Sequence, residues 1–257
     1  MGGESTTRTA PHRGGTDTGP VGSRTGQRLS GLAVALGIVL FLGGFAWGAV
    51  LYRPYTVPTG SMTPTIDAGD RVLAQRVDGD EIRRGDIVVF TDKTWVTNAP
   101  VVKRVVAVGG DTVSCCTDGK LTVNGKEIDE TYLKGGPAEI KSIPTVKVPK
   151  GRLFLLGDER QGSLDSSVHL TDAAQGTVAN SAVTARVDAV VWPMKGMVER
   201  PAAFEPLGAP SSPGPLRTIV ILIVVGAALV MGGGAYGPVA KRLGRGSRSR
   251  TEPVGAH

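Results

Sequence analysis

The chain has 257 residues, 20% of them charged and 40% apolar, and a formal net charge of +6. That length allows one large domain or two small ones. The positive balance does not point to nucleic acid: residues 53–215 carry 19 basic against 20 acidic side chains, the excess lies in the two ends, and no basic patch with interleaved aromatics occurs in between.

Residues 1–28 are Gly, Thr, Ser and Arg with almost nothing apolar, which predicts a disordered tail. Residues 29–52 contain no charge and are dense in Leu, Val, Ile, Ala and Gly. About 20 apolar residues suffice for a helix to cross a membrane. A cleaved leader is the competing reading, since Ala46-Trp47-Gly48 has small residues at suitable spacing. The run is long for a leader's apolar region and follows a long polar tail, so a permanent transmembrane anchor is expected.

Residues 53–200 have the texture of a β domain. Short runs rich in Val, Ile and Phe (86–90, 101–108, 121–123, 152–156 and 185–192) are punctuated by Gly, Pro, Asn and Asp. Asn124-Gly125 between two such runs is a hairpin signal. Residues 173–181 suit either a short helix or a loop. Residues 201–217 are Pro-rich and read as a linker. Residues 218–240 form a second apolar run, whose length and basic flank favour a span over a buried core helix. Residues 241–257, with Lys241, Arg242, Arg245, Arg248 and Arg250, form a basic tail. Positive flanks stay inside. Both termini are therefore expected in the cytoplasm and residues 53–200 on the outer face of the plasma membrane, with the lipid bilayer as one partner and nucleic acid excluded.

The three histidines (His12, His169, His257) are scattered, and the two cysteines, Cys115 and Cys116, are adjacent. No metal-ligand spacing arises, so neither a metal, a cofactor nor a Ser-His-Asp triad is expected. His169 reads as a solvated loop residue. The cysteines are open to three states: free thiols, a vicinal disulfide, or pairing with another chain.

Three segments carry chemistry. Val57-Pro58-Thr59-Gly60-Ser61-Met62-Thr63-Pro64-Thr65-Ile66 is a turn, bracketed by prolines, that can present one hydroxyl. Lys103-Arg104-Val105-Val106 lies in an apolar strand that could bury an amine, and burial favours the neutral form able to act as a base. Gly157-Asp158-Glu159-Arg160-Gln161-Gly162-Ser163-Leu164-Asp165-Ser166 is the third. In this order, with Arg83-Arg84-Gly85-Asp86 between the first two, they resemble type I signal peptidases, membrane-bound Ser-Lys proteases of bacteria. The resemblance covers the first span and nearly all of the middle domain.

It implies a mainly β, antiparallel-sheet catalytic domain flanked by two transmembrane helices, and a serine endopeptidase that removes signal peptides from secretory preproteins after small residues at −1 and −3. The secretion translocon is a further candidate partner. Ser61 would be the nucleophile and Lys103 the general base. Ser163 would hydrogen-bond Lys103, Asp165 would brace the loop of Ser163, and Asp158 would pair with Arg104. Thr59, where many relatives have Ser, would join the Ser61 N–H in holding the oxyanion. Val57, Met62, Ile66, Val72, Val101 and Val102 would line the substrate pocket. Two positions depart from the family pattern. Glu159 replaces a common Asn, and Ser167 replaces an Arg expected to partner Asp165.

Two other functions compete. A self-cleaving Ser-Lys regulator would need a soluble DNA-binding domain, whereas this chain has two apolar runs. A non-catalytic, membrane-tethered β binding domain would have no need for Ser61, Lys103, Ser163 and Asp165 together.

Overall fold

A computed structural model describes residues 24–96, 99–116, 119–133 and 142–246. They form two compact units: Phe45–Val220, and a helical unit made from the remainder of two long helices. Helix α1 is Arg24–Leu51 and helix α2 is Leu216–Gly246. Their apolar parts, Arg28–Leu51 and Leu216–Tyr236, have mean hydropathies of 2.3 and 2.4 and are long enough to cross a membrane.

In the helical unit the two helices approach through small residues. The Gly37 and Gly226 backbones lie so close that a Cβ on either would collide with the opposing main chain. One turn-pair away, Ser30 Oγ donates to the Gly233 carbonyl at 2.7 Å. Small residues permit the close backbone approach that replaces hydrophobic driving force between helices in lipid. The expected element bounds shift. Residues 24–28, assigned to the tail, are already helical, and Tyr52, assigned to the first span, begins a strand. Residues 241–246 continue α2. The rest of both predicted tails, 1–23 and 247–257, lies outside the described residues.

The other unit is built on twelve strands: β1 Tyr52–Thr56, β2 Arg71–Gln75, β3 Ile87–Phe90, β4 Val101–Val108, β5 Thr112–Cys115, β6 Leu121–Val123, β7 Lys126–Ile128, β8 Ile143–Lys147, β9 Arg152–Leu156, β10 Thr177–Ala179, β11 Val183–Trp192 and β12 Gly196–Met197. Every pairing is antiparallel. One sheet runs β1-β2-β11-β3-β4-β9-β10, with β12 on β11, and a smaller one runs β7-β6-β5-β8. The fold is therefore mainly β with two apolar helices, as the sequence suggests. Strands β3, β4 and β9 are central and buried on both faces, which explains their near-continuous Val, Ile, Leu and Phe. Asn124 and Gly125 both have positive φ and turn β6 into β7 with Val123 facing Lys126.

Residues 173–181 hold a strand between a turn and the start of a short 3₁₀ helix, Asn180–Ala182. They contribute β10, held because Arg152 Nε donates to Thr177 Oγ1 at 2.6 Å and Val178 is buried. Cys115 and Cys116 are joined as a disulfide.

The Pro-rich stretch is also not a free linker. Residues Ala202–Leu207 form a 3₁₀ segment whose Phe204 is buried among Val106, Phe154 and Leu156. Arg84 Nη1 donates to the Leu207 carbonyl at 2.8 Å, and Lys126 Nζ to that of Pro206 at 2.9 Å. Ser211 Oγ donates to the buried Asp86 carboxylate. Prolines remove backbone donors and stiffen the chain, so this composition suits a strap laid along a surface as well as a spacer.

Candidate active site

The turn after β1 is clamped at both ends. Val57 N–H donates to the Asp70 carbonyl at 2.9 Å, Gly69 N–H to Val57 at 2.7 Å, and Ile66 N–H to Met62 at 2.9 Å. Met62 and Ile66 turn fully into the core, which leaves Ser61 half-buried at the edge. The second part comes from β4, where Lys103 is 3% exposed and faces Val88 of β3 in register. Its Nζ lies 2.6 Å from Ser61 Oγ. Burial pushes the Lys103 amine down from 10.5 to about 8, against the opposing pull of the Asp165 and Asp158 carboxylates. A hydroxyl thus touches an amine that is substantially neutral near pH 8.

The third part is the loop after β9. Glu159 N–H donates to the Ser61 carbonyl at 3.1 Å, which joins this loop to the nucleophile turn. Gly157 makes the junction possible, since a Cβ there would collide with both the Ser61 carbonyl and the Ser163 side chain. Asp165 is buried. Its Oδ2 accepts from Gly157 N–H at 2.9 Å, and its Oδ1 accepts from the Ser167 N–H and hydroxyl at 3.0 and 2.7 Å. Ser167 therefore supplies donors where the family pattern led us to expect an Arg. Ser163 Oγ is buried without a hydrogen-bond partner among the described residues, so the expected bond to Lys103 is not formed. Thr59 Oγ1 donates to Ser61 Oγ at 3.3 Å.

Beneath this layer, Arg104 and Asp158 are both buried and paired through two bonds, Nε–Oδ1 at 2.8 Å and Nη2–Oδ2 at 2.7 Å. Thr65 donates to Asp158 Oδ2 at 2.6 Å, so the ion pair also holds the nucleophile turn. The Arg104 guanidinium lies over the Tyr132 ring, 4.4 Å from its centroid. A second buried pair, Arg160 with Glu130, has its Arg Nε on the Gly157 carbonyl at 2.9 Å. Sequence reasoning missed Glu130 and Tyr132, which lie in an irregular stretch with no local pattern. The role of Gly157 depends on which two loops meet at it, which no local pattern shows.

A groove of ≈ 480 Å³ opens at Ser61 and Lys103. Val57, Val101 and Val102 line it, with Tyr55, Pro58, Pro100 and Leu164. Met62, Ile66 and Val72 do not line it. They pack fully buried with Val57 in the layer behind, because the Met62–Ile66 bridge folds their side chains into the core. His169 lies elsewhere, stacked on Trp95 with ring centroids 4.5 Å apart and its Nδ1 2.8 Å from Asp172.

A family model described as signal peptidase, peptidase S26, matches residues 29–192. The chain belongs to that signal peptidase family. A signal peptidase I of Mycobacterium tuberculosis is 32% identical over 193 residues, which cover 55% of this chain and 65% of that relative. The chain thus spans just under two thirds of the mycobacterial relative. A signal peptidase I of Bacillus amyloliquefaciens is 32% identical over 176 residues, covering 65% of this chain and 84% of the other. A crystal structure of a signal peptidase I from Enterococcus faecalis aligns at 25% identity with a TM-score of 0.32, over 46% of this chain and 96% of that one. Ser61, Lys103, Ser163 and Asp165 all fall inside the span that matches the signal peptidase family.

Proposed function

We propose that this chain is a signal peptidase: a membrane-anchored serine endopeptidase in which Ser61 is the nucleophile and Lys103 the general base. The observation that carries it is the 2.6 Å approach of a buried lysine amine to a serine hydroxyl at the floor of an apolar groove. The neutral amine takes the Ser61 proton as Oγ attacks the scissile carbonyl carbon. The Ser61 N–H and the Thr59 hydroxyl are the candidate donors for the oxyanion, and loss of one such donor typically costs about 3 kcal/mol. Collapse breaks the C–N bond, and the new amino terminus leaves with the proton from the Lys103 ammonium. A water then attacks the acyl-enzyme carbonyl, giving a proton to Lys103; collapse breaks the C–Oγ bond, Ser61 Oγ takes that proton back from the ammonium, and the signal peptide leaves as its carboxylate, with the remaining proton passing to solvent.

Asp165 acts on the amine through its charge and braces the loop that carries Ser163, and Asp158 with Arg104 holds the two loops together. Val57, Val101 and Val102 suit small apolar side chains at −1 and −3. The substrates are secretory preproteins held in the bilayer, met on the outer face, with both termini of the chain in the cytoplasm and the translocon nearby. Ser61 is ten residues beyond Leu51, where the first apolar helix ends. At about 3.3–3.6 Å per extended residue, that keeps the nucleophile within roughly 36 Å of the end of the first span.

The test is cleavage of a secretory preprotein by full-length protein in detergent. Cleavage should follow the Ala-x-Ala site, and Ser61→Ala or Lys103→Ala should each lower kcat/KM by about a thousandfold or more. Full cleavage by either variant overturns the mechanism. Absence of cleavage by the wild type across several preproteins overturns the function and favours a binding domain.

A further inference from the structure

The lining of the groove at Ser61 is mostly apolar. Of the described residues that line it, only Lys103 and Glu159 are charged, and Lys103 works as the neutral amine. In the competent state the lining therefore carries one net negative charge, on Glu159. Its neighbours in sequence are spoken for: Asp158 is buried against Arg104 and Arg160 against Glu130. Glu159 alternates outward between them and is exposed, and its carboxylate has no ion pair or hydrogen bond among the described residues.

The main chain fixes where this charge lies. Glu159 N–H is bonded to the Ser61 carbonyl, and its Cγ lies 3.4 Å from where a Cβ on Gly162 would be. Most of the apolar lining comes from the segments before Ser61 and Lys103, namely Tyr55 to Pro58 and Ala99 to Val102 with Val96, and Leu164 of the third loop adds to it. Glu159, Gly162 and Leu164 belong to the third loop, which the Glu159 N–H bond joins to Ser61. Resting on the proposal that the −1 and −3 side chains occupy the valine-lined part, the acyl portion of the substrate lies there and the leaving portion runs over the third loop.

We propose that Glu159 is a specificity-determining residue that selects for a basic side chain at the first or second position of the mature chain. A Lys or Arg there would bring a cation to the Glu159 carboxylate, which has no ion pair among the described residues. Exposed pairs of this kind change rates by about three- to fivefold. Their effect falls as salt screens them. The charge also disfavours an acidic residue at the same place, so Lys against Glu is the sensitive comparison.

The experiment uses the full-length protein in detergent and preproteins that differ only at +1 and +2, carrying Lys, Gln or Glu. The wild type should show a kcat/KM for Lys at least about threefold above that for Glu, shrinking at high ionic strength. Glu159→Gln should bring the ratio to about one, and Glu159→Lys should invert it. A ratio unchanged by Glu159→Gln overturns this inference while leaving the peptidase function standing. A charge preference that depends on Glu159 but falls at −2 overturns the assignment to the leaving side. No cleavage of any preprotein by the wild type overturns the peptidase function, and this inference with it.

Discussion

Lys103 holds the largest tension between stability and chemistry in this molecule. The sign of its pKa shift fixes the expected pH dependence. Burial lowers the amine to about 8, so below that pH the side chain carries a proton and cannot accept one from Ser61. Log kcat/KM should rise with a slope of about one per pH unit up to about 8 and then level off. A flat profile between pH 6 and 9 would contradict Lys103 as the base. Asp165 is the larger of the two carboxylate influences that raise the amine. Asp165→Asn should therefore move the rising limb to lower pH, whatever it does to the plateau, and a limb moving upward would refute the electrostatic account. The same shift makes Lys103 a cost to folding. The unfolded chain binds more protons than the folded one between pH 8 and 10.5, so stability rises with pH in that window and the penalty is complete below it. Lys103→Met, similar in volume and uncharged, should abolish activity and raise unfolding stability at pH 7 by on the order of 1–3 kcal/mol, read by denaturant titration.

The elements differ in how plainly the sequence announces them. Strands β3 and β9 are buried and almost wholly apolar, β4 and β11 are mostly so, and the punctuation of such runs is visible in one sequence. Strands β1 and β2 are not visible in this way. Tyr-Arg-Pro-Tyr-Thr contains a proline, tolerated because β1 is an edge strand, and Arg-Val-Leu-Ala-Gln is too short to show a period. The Ser61 and Lys103 positions were readable because a motif marks them. Their supporting shell was not, because it depends on which loop meets which. Ser167 shows the limit: its identity suggested that Asp165 loses a partner, yet its N–H and hydroxyl both bind that carboxylate. Gly157 shows the converse. It needs no unusual φ, and what makes it necessary is the joint approach of the Ser61 carbonyl and the Ser163 side chain. Gly157→Ala should force the two loops apart, costing about 1–3 kcal/mol in stability by overpacking. Its kcat loss should exceed that of Ser167→Ala, which removes one bond worth about 1 kcal/mol. Thermal unfolding and kcat measured on the same preparations separate the two effects.

At the scale of the whole β unit, the strap 201–215 closes a circuit that the Pro-rich composition conceals. Tyr52, the first residue of β1, donates its hydroxyl to Asp188 Oδ2 at 2.9 Å. Burial, reinforced by that carboxylate, pushes the Tyr52 hydroxyl well up, so it remains a donor at any physiological pH. Gly214, near the other end of the same unit, packs so tightly against the Tyr52 hydroxyl, Gln75 and Asp188 that it has no room for a Cβ. Asp188 itself is fully buried and faces Arg200 Nη2 at 3.2 Å and Arg186 Nε at 3.4 Å. One carboxylate thus balances two guanidinium groups and fastens both chain ends of the domain. Asp188→Asn keeps the shape and removes the charge, leaving Arg186 with its bond to Gln75 but no ion pair among the described residues, and Arg200 with its 3.4 Å pairing to Asp86 and its bond to Ser211. Removing one partner from a buried ion pair typically costs about 3–5 kcal/mol. The Asp188→Asn protein should therefore unfold at lower denaturant concentration by an amount of that order. Asp67→Asn supplies the control, since its ion pair with Lys195 is largely exposed and such pairs are worth at most about 1 kcal/mol. Equal losses in the two variants would show that the strap does not close the domain through Asp188. A large loss confined to Asp188→Asn, with the limb of the pH–rate profile unmoved, would place the closure in stability and leave the chemistry of Lys103 untouched.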